Sequence, residues 1–305
     1  MHTIDAQAAV GFVLSQTSHI ETAVNKVKRP QIQYKNLVPV DTSAGAFAKT
    51  VTYFSSDQFG KAEWMNGNAD DMPMAGTEKS KFEVDIYTAA IGYGFGFEEV
   101  EQAKQMGTNL PNDDAMAARR AYEEFVDELA LFGDATKGFE GLLTSSLVDD
   151  ASALTGDWDT ATEDQILADV NAAILGVGTG TNFVALANTL LLPYEKFNAL
   201  ATRRLGDNKA TILSFIMEFN TYTAMTGQPL TIRAVRRMNT IGTGSTARMV
   251  AYNRDPETVK MHIPMPHRFL APREKGIFSV VVPGVFRVGG VDWRLPKEAR
   301  YVDGI

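Results

Sequence analysis

The sequence predicts an α+β protein, and three stretches of the chain carry that prediction. Residues 46–96 alternate polar and apolar side chains and predict a long β-ribbon. Residues 113–143 predict a long amphipathic helix that stops at Gly133. Residues 145–270 mix helical and strand patterns and predict an α/β domain. Because a lone two-stranded ribbon is marginally stable in water, the ribbon indicates assembly with other molecules rather than catalysis.

Composition limits the classes of protein that fit. The chain has 305 residues, 45% of them hydrophobic and 22% charged, which suits one large or two modest domains. A formal net charge of -8 makes a dedicated DNA-binding protein a poor fit, since such proteins carry a basic surplus. The absence of cysteine excludes disulfides, thiolate zinc sites and cysteine nucleophiles. The apolar patch at 8–14 lacks a basic flank and is too short to cross a bilayer, so no signal peptide or membrane helix is expected.

Residues 1–45 predict an N-terminal arm that runs into extended chain. The arm carries a small group of cations, which are Lys26, Lys28 and Arg29. A solvated basic face is the favoured interpretation of that group, over a specific contact.

The ribbon of residues 46–96 consists of an outgoing strand, a polar tip and a return strand. The outgoing strand places Phe47, Val51 and Tyr53 on one face. The return strand begins near residue 81 and carries four apolar side chains, Phe82, Val84, Ile86 and Tyr87. An arm of about 12 residues at about 3.3 Å each projects roughly 40 Å from the body.

Four large apolar residues near the tip of the ribbon are candidate assembly contacts: Trp64, Met65, Met72 and Met74. One interpretation is that they pack into their own loop. The other is that they dock on a neighbouring subunit, as exposed apolar patches commonly do. The sequence leaves both open. The lysines of the same hairpin, Lys61 and Lys79, are grouped with these candidates.

A long helix follows a short helix predicted over residues 97–107. Asn112 or Asp113 caps it, and acids in its first turn suit the positive end of the helix dipole. Its apolar residues recur at intervals of three and four and form one stripe, made of Ala118, Tyr122, Phe125, Leu129 and Phe132. The stripe is expected to pack on a sheet of the same chain.

The region 145–270 alternates predicted helices and strands. Helices are expected over residues 162–178, 193–204 and 210–225, and strands over 182–192, 230–238 and 247–264. The strand at 230–238 contains Arg236 and Arg237, which then point to opposite faces. At least one of the two is therefore expected to pair with an acid or contact a neighbour.

The sequence contains no recognisable catalytic or metal-binding motif. The histidines at 262 and 267 are separated by two prolines and lack a third ligand pattern, so no metal site is expected. The glycine-rich runs at 177–183 and 241–249 lack the order of strand, loop and helix that a phosphate loop needs. Two pairs of acids, Asp70/Asp71 and Asp149/Asp150, are expected to be solvated loop residues. We therefore predict a protein that is not an enzyme and has no cofactor.

Two segments make the chain resemble the tailed-phage major capsid protein with the Hong Kong 97-like fold. They are LALFGDATKGFEGLL (129–143) and FRVGGVDWRLPKEARYVDGI (286–305). The order of arm, hairpin, long helix, α/β domain and closing strands resembles that family over nearly the whole chain. The resemblance implies five parts: an arm at 1–45, an extended loop at 46–96, a peripheral domain at 97–144 with its spine helix at 113–132, an axial domain at 145–270, and C-terminal strands at 271–305 that return to the peripheral domain.

The same resemblance implies a function and a set of partners. The chain is expected to form hexamers and pentamers of an icosahedral shell around double-stranded DNA, held without sequence specificity. A portal and separate scaffolding or decoration proteins are further expected partners, and the location is the virion, assembled in the host cytoplasm. An encapsulin-like shell that encloses a cargo enzyme is the alternative. Cross-linking of a hairpin lysine to an asparagine of a neighbour is not expected, because no partner asparagine matches.

Overall fold

The chain folds as a mixture of helices and strands, as the sequence predicts. A computed structural model describes residues 29–64, 72–96, 98–99, 110–206, 210–276 and 278–305, and Ile32–Ile305 form one compact unit. The helices are α1 (Tyr34–Leu37), α2 (Leu110–Phe132), α3 (Glu163–Gly180), α4 (Tyr194–Thr202), α5 (Ile212–Glu218) and α6 (Thr221–Thr226).

The strands form one five-stranded sheet and several smaller sheets. They are β1 (Val40–Asp41), β2 (Thr50–Phe59), β3 (Gly76–Ala90), β4 (Tyr93–Gly96), β5 (Gly133–Asp134), β6 (Phe139–Glu140), β7 (Asp149–Ser152), β8 (Thr189–Pro193), β9 (Thr231–Val235), β10 (Arg248–Tyr252), β11 (Val259–His262), β12 (Met265–Phe269), β13 (Arg273–Glu274), β14 (Ser279–Val282), β15 (Gly284–Gly289), β16 (Val291–Trp293) and β17 (Ala299–Asp303).

The predicted ribbon is the hairpin of β2 and β3. The first ten residues of β3, from Gly76 to Asp85, pair with β2, whereas its last five, from Ile86 to Ala90, pair with β15. Neither partner strand spans the boundary between the two parts. Strand β3 therefore runs without interruption from the projecting hairpin into the sheet of the body.

Helix α2 packs its apolar stripe on a sheet of the same chain, which confirms that expectation. Tyr122 and Leu129 are buried, and the Tyr122 ring lies edge-on to Phe286 of β15 with 4.7 Å between ring centroids. Phe125 also contacts Phe286, with 5.7 Å between ring centroids, but stays 45% exposed. Phe125 therefore packs at the exposed side of the stripe.

The helix ends at Phe132, where Gly133 adopts a left-handed φ of 74°, as the predicted stop requires. A Cβ at Gly133 would lie 2.3 Å from the carbonyl oxygen of Phe139, so only glycine fits this turn. Strands β5 and β6 close the loop, and the chain then returns along the helix. The Leu142 and Leu143 amides donate to the carbonyls of Ala130 and Leu131, at 2.8 and 3.0 Å.

The predicted α/β region contains the five-stranded sheet, ordered β7-β17-β10-β8-β9, with α3 packed against β10 and β17. Helix α3 begins at a capping box formed by Thr162 and Gln165. Two expected elements differ. The strand expected over 182–192 begins only at Thr189, because Asn182 and Phe183 adopt positive φ in a turn. The helix expected over 210–225 is divided into α5 and α6.

The C-terminal segment is shared between two parts of the molecule. Strand β15 pairs with the hairpin strand β3, and β14 pairs with β4. Strand β17, however, lies inside the five-stranded sheet between β7 and β10. The last strand therefore completes the sheet of the α/β region, whereas the strands before it support the hairpin.

Candidate assembly surface

The root of the hairpin is the part nearest the body, where residues 50–53 pair with residues 82–85. It carries apolar side chains on one face. Direct pairing puts Val51 opposite Val84 and Tyr53 opposite Phe82. The rings of Tyr53 and Phe82 stack with 5.3 Å between their centroids. Cross-strand pairs of this kind stabilise an antiparallel ribbon. This face is the one that the sequence predicts from Val51, Tyr53, Phe82 and Val84.

The C-terminal strands fasten this root to the body. The guanidinium of Arg294 lies over the ring of Tyr53, 4.3 Å from its centroid. Burial and the neighbouring carboxylate of Asp292 raise the pKa of Tyr53 to about 12, so its hydroxyl stays protonated beside that carboxylate. Tyr53 therefore links β2 to β16 and the residue that follows it.

A buried histidine continues the same network. His262 is 1% exposed, and its Nε2 lies 3.4 Å from the Asp292 carboxylate, while its Nδ1 lies 3.6 Å from that of Asp41. Burial by itself raises the pKa of Asp292, but hydrogen bonds from His262 and Arg294 outweigh it and lower the pKa. The hydroxyl of Ser43 is the main cause that lowers the pKa of Asp41 to about 2. Both carboxylates are thus ionised at neutral pH.

Beyond the root, the hairpin exposes large apolar side chains. The exposed fractions are 69% for Phe54, 59% for Phe59, 105% for Trp64, 62% for Met72 and 76% for Met74. Packing of Trp64, Met72 and Met74 into their own loop is therefore contradicted. Met65, the remaining tip candidate, lies outside the described residues.

The charges of the distal hairpin are not balanced within the ribbon. Asp57 and Glu78 are directly opposite one another, and like charges at such positions are destabilising. Lys61 and Lys79 are exposed and take part in no ion pair among the described residues. Charge interactions within the distal hairpin thus contribute little to its stability, as expected for a segment that a neighbour stabilises.

The two candidate arginines lie just beyond β9 rather than inside a strand, which corrects the expected strand over 230–238. Arg236 donates to the carboxylate of Asp127, which is fully buried. Arg237 has a φ of 61° and donates from Nη1 to both carboxylate oxygens of Glu128, at 2.6 and 2.7 Å. The expectation that at least one arginine pairs with an acid is confirmed. Their role as assembly contacts stays a prediction.

Among the described residues, no three or more metal-ligating side chains cluster together. In the same residues, no helix combines the length and the hydrophobicity that a membrane span needs. His267 donates from Nε2 to the Ile91 carbonyl, 3.0 Å away, and stacks on Tyr122, so it is part of the packing. Asp149 and Asp150 lie on β7 rather than in a loop, which corrects that expectation. Asp70 and Asp71 lie outside the described residues.

Some important residues have no recognisable sequence pattern. Arg248 and Asp303 form a two-point ion pair, with Nε to Oδ1 at 2.7 Å and Nη2 to Oδ2 at 2.9 Å. Arg248 also donates to the Leu143 carbonyl at 2.9 Å, directly behind the long helix. Both partners lie on strands, 55 residues apart along the chain. The sequence signal that could have identified Arg248 and Asp303 is a charged residue on an otherwise apolar strand.

Solved structures with the same fold include chains from phages and from a GTA particle. A chain from "The capsid of Myoviridae Phage XM1" aligns with a TM-score of 0.80 and 19% identity, covering 100% of this chain and 99% of that one. A chain from Mycobacterium phage Bobi gives 0.64 and 15%, covering 98% and 99%. A chain from the capsid of an empty GTA particle gives 0.61 and 12%, covering 99% of each. The search of curated proteins found no significant match.

The chain thus has the fold of chains found in solved capsids. The family model described as "Major capsid protein" matches residues 60–305, which is most of the chain. The chain belongs to the major capsid protein family. The prediction of a tailed-phage capsid subunit is confirmed, and the encapsulin-like alternative is not favoured.

Proposed function

We propose that this capsid subunit has the Hong Kong 97-like organisation and forms hexamers and pentamers of an icosahedral shell. In this proposal residues 46–96 are the extended loop, and 113–132 are the spine helix of a peripheral domain at 97–144. Residues 145–270 form the axial domain, and the loops at 177–182 and 241–246 meet around the capsomer axes. Residues 271–305 return to the peripheral domain, except for β17, which belongs to the sheet of the axial domain.

The observation that carries this proposal is the exposed distal hairpin. Its apolar side chains stand on the part of the ribbon where, among the described residues, β2 and β3 pair only with each other. Covering such side chains contributes roughly 25 cal/mol per Å² of apolar surface removed from water. A neighbouring copy supplies that cover, so the subunit gains stability by assembling. The candidate contacts are Lys61, Trp64, Met65, Met72, Met74, Lys79, Arg236 and Arg237.

The proposed shell encloses double-stranded DNA and belongs to the virion. The net charge of -8 supports loose enclosure, because a basic lining would bind phosphate strongly. A portal and separate scaffolding or decoration proteins are the other proposed partners, with assembly in the host cytoplasm. The role is structural and includes no catalytic step.

Replacing residues 57–78 by an Asn-Gly turn tests the role of the hairpin. Ser56 and Lys79 are directly opposite in the register, so a two-residue turn can join them. We expect the unaltered protein to give closed shells in negative-stain electron microscopy and the shortened protein to give folded, unassembled subunits. Far-UV circular dichroism checks the folding. Monodisperse monomers of the unaltered protein at high concentration, or normal shells of the shortened one, would contradict the proposal.

A further inference from the structure

A polar pocket of about 310 Å³ lies at one end of the five-stranded sheet. Strands β8 and β9 begin at this end, and β10, which runs the opposite way to β8, ends there. The charged residues of its lining are Arg233 on β9 and Arg254 just after β10, and no acid lines it among the described residues. We call it the arginine pocket. Its volume is at the lower end of the range of about 300–1,000 Å³ that ligand pockets occupy.

Neither arginine has a charge partner in the part of the chain that the structure describes. Arg233 and Arg254 take part in no ion pair there, whereas Arg236 contacts a carboxylate. The Nε of Arg254 is buried and has no hydrogen-bond partner in the same residues, and its Nη2 lies 3.4 Å from the Lys35 carbonyl. A buried cationic donor without an acceptor is costly. An anion in the pocket would therefore stabilise Arg254.

The two guanidinium groups also act on one common neighbour. Burial raises the pKa of the Tyr252 phenol, and the positive charges of Arg254 and Arg233 oppose that rise. Both cations therefore lie within electrostatic reach of the same buried hydroxyl. Like charges placed in this way repel each other, and a bound anion would offset the repulsion.

The side chain of Asn188 holds the backbone around the pocket in place. Its Oδ1 accepts from the Arg254 amide and from the Thr189 hydroxyl, both at 2.8 Å, and its Nδ2 donates to Asn253 at 2.7 Å. These bonds connect the start of β8 with the residues after β10. The backbone of Arg254 is thus ordered before a ligand arrives, which lowers the cost of binding.

Neutral hydrogen-bonding groups complete the lining. The Tyr222 phenol comes from α6, the Gln228 amide from the turn after it, and the Thr231 hydroxyl from the start of β9. None of these three side chains makes a hydrogen bond with another described residue. Because the donors come from separate elements, they suit an oxyanion that accepts hydrogen bonds from several directions.

We propose that the arginine pocket binds a phosphate group, with Arg233 and Arg254 as its cationic ligands. A guanidinium presents a planar fork of N–H donors that matches the spacing of phosphate oxygens. Two sources offer this chemistry, a free phosphate ion and the backbone of a nucleic acid. The net charge of -8 opposes general retention of anions, so saturable binding reports a defined site. This inference goes beyond the proposed function, because it needs no assembled shell.

Calorimetric titration of full-length, unassembled subunits with inorganic phosphate tests the site, with sodium chloride keeping the ionic strength constant. We expect one phosphate to bind per subunit. Arg233→Gln combined with Arg254→Gln should weaken binding about tenfold or more, because it removes two charge-assisted contacts. The matched control is Arg204→Gln combined with Arg273→Gln, which removes the same charge from two exposed arginines outside the pocket. Its affinity should stay within about twofold of the unaltered value.

A single variant separates lost binding from lost structure. Arg233 is exposed, so Arg233→Gln alone should keep the far-UV circular dichroism and the urea midpoint of the unaltered protein. We expect it still to weaken phosphate binding severalfold. Unchanged phosphate affinity in this folded variant would contradict the role of Arg233.

Two further titrations define the chemistry and source of the ligand. Acetate, a planar carboxylate, should bind about tenfold more weakly than phosphate. A DNA duplex of about 20 base pairs then separates the sources. Weaker duplex binding by the pocket variant than by the control variant would assign a nucleic-acid backbone. Equal duplex binding by the two variants would assign a free phosphate.

Three results would overturn the inference: no saturable phosphate binding, equal losses from the pocket and control variants, or equal affinity for acetate and phosphate. None of them bears on shell formation, which electron microscopy measures separately. Failure of the unaltered protein to assemble would overturn the proposed function and leave the phosphate site standing.

Discussion

The long helix and the hairpin carry similar amounts of apolar side chain, but they use it in opposite ways. In α2, Val126 and Leu131 are fully buried and Leu129 is 4% exposed. In the hairpin, Phe54 is 69% exposed and Trp64 fully so. Both segments show clear periodicity in the sequence. Only the helix finds a sheet of its own chain to cover its apolar face.

The difference shows which region stabilises the subunit and which one serves the shell. Burying a large aliphatic or aromatic side chain contributes about 1.5–3 kcal/mol. The helix and the C-terminal strands obtain that contribution within one chain, whereas the distal hairpin obtains it from a neighbour. Mutations in the first region should therefore unfold the subunit. Mutations in the second should impair assembly at unchanged stability.

The largest expected effect comes from the buried ion pair behind the helix. Asp303→Asn leaves the guanidinium of Arg248 buried without its charge partner, which typically costs about 3–5 kcal/mol. We expect a loss of that size in the free energy of unfolding of unassembled subunits, measured by urea titration. Asp149→Asn, an exposed acid on the adjacent strand β7, is the matched control and should change little. Equal effects would show that the region does not depend on this pair.

The helix stripe gives the next largest effect. Leu129→Ala removes a side chain that is 4% exposed and should cost about 3 kcal/mol in the same titration. Phe125→Ala belongs to the same stripe but starts from 45% exposure, so we expect about 1 kcal/mol. If Phe125→Ala were the more costly of the two, the division into a buried and an exposed side of α2 would be wrong.

A smaller effect is expected from acid. The pKa values of Asp41, Asp292 and Asp303 are lowered in the folded protein, that of Asp41 to about 2. Depressed carboxyl pKa values contribute stability above the unfolded pKa of about 4, and that contribution is lost as the pH falls through the folded values. Subunit stability should therefore hold from pH 7 to about pH 4 and fall between about pH 4 and 2.

Asp41→Asn isolates one part of this acid dependence. The substitution removes one of the titrating groups, so the loss of stability below pH 4 should become shallower by on the order of 1 kcal/mol, since solvent screens this partly exposed carboxyl. Urea midpoints at pH 6, 4, 3 and 2.5 measure the change. An unaltered pH profile would mean that the carboxylate beside His262 does not stabilise the root of the hairpin.

Periodicity predicted most of the fold, because it reports which side chains can face a core. It predicted the hairpin and the apolar stripe of α2, and the glycine at 133 marked the end of that helix. It did not show that Phe125 stays 45% exposed, because the pattern does not show how far the covering sheet extends. It also predicted a strand from residue 182, whereas the strand begins at Thr189. The residues before it include a turn with Phe183 at positive φ, and an apolar run does not distinguish such a turn from a strand.

The candidate site was predicted in part. Exposed apolar residues at the tip follow from a ribbon too long to be covered by its own chain. The arginine pocket could not be predicted, because Asn188, Arg233 and Arg254 come from separate parts of the chain. The same holds for the pairing of Arg236 with Asp127, which are 109 positions apart. Such contacts depend on the path of the backbone rather than on local pattern.

The smallest change in subunit stability is expected from a double variant of the hairpin, which tests the contrast with the helix most directly. Phe54→Ser combined with Phe59→Ser removes two large apolar side chains from the hairpin, yet both are more than half exposed. We expect the free energy of unfolding of unassembled subunits to stay within about 0.5 kcal/mol of the unaltered value, as is usual for surface substitutions. Shell yield, measured by sedimentation of assembled particles, should fall strongly.

Met217→Ser combined with Phe219→Ser is a matched control, because these residues are 47% and 55% exposed on and just after α5. It removes a comparable amount of exposed apolar surface from a region outside the hairpin, so shell yield should be retained. A loss of several kcal/mol from the hairpin variant would show that the ribbon contributes to the fold of its own subunit. The hairpin and the helix would then differ only in degree, and exposure in one chain would no longer identify the surface that the next chain covers.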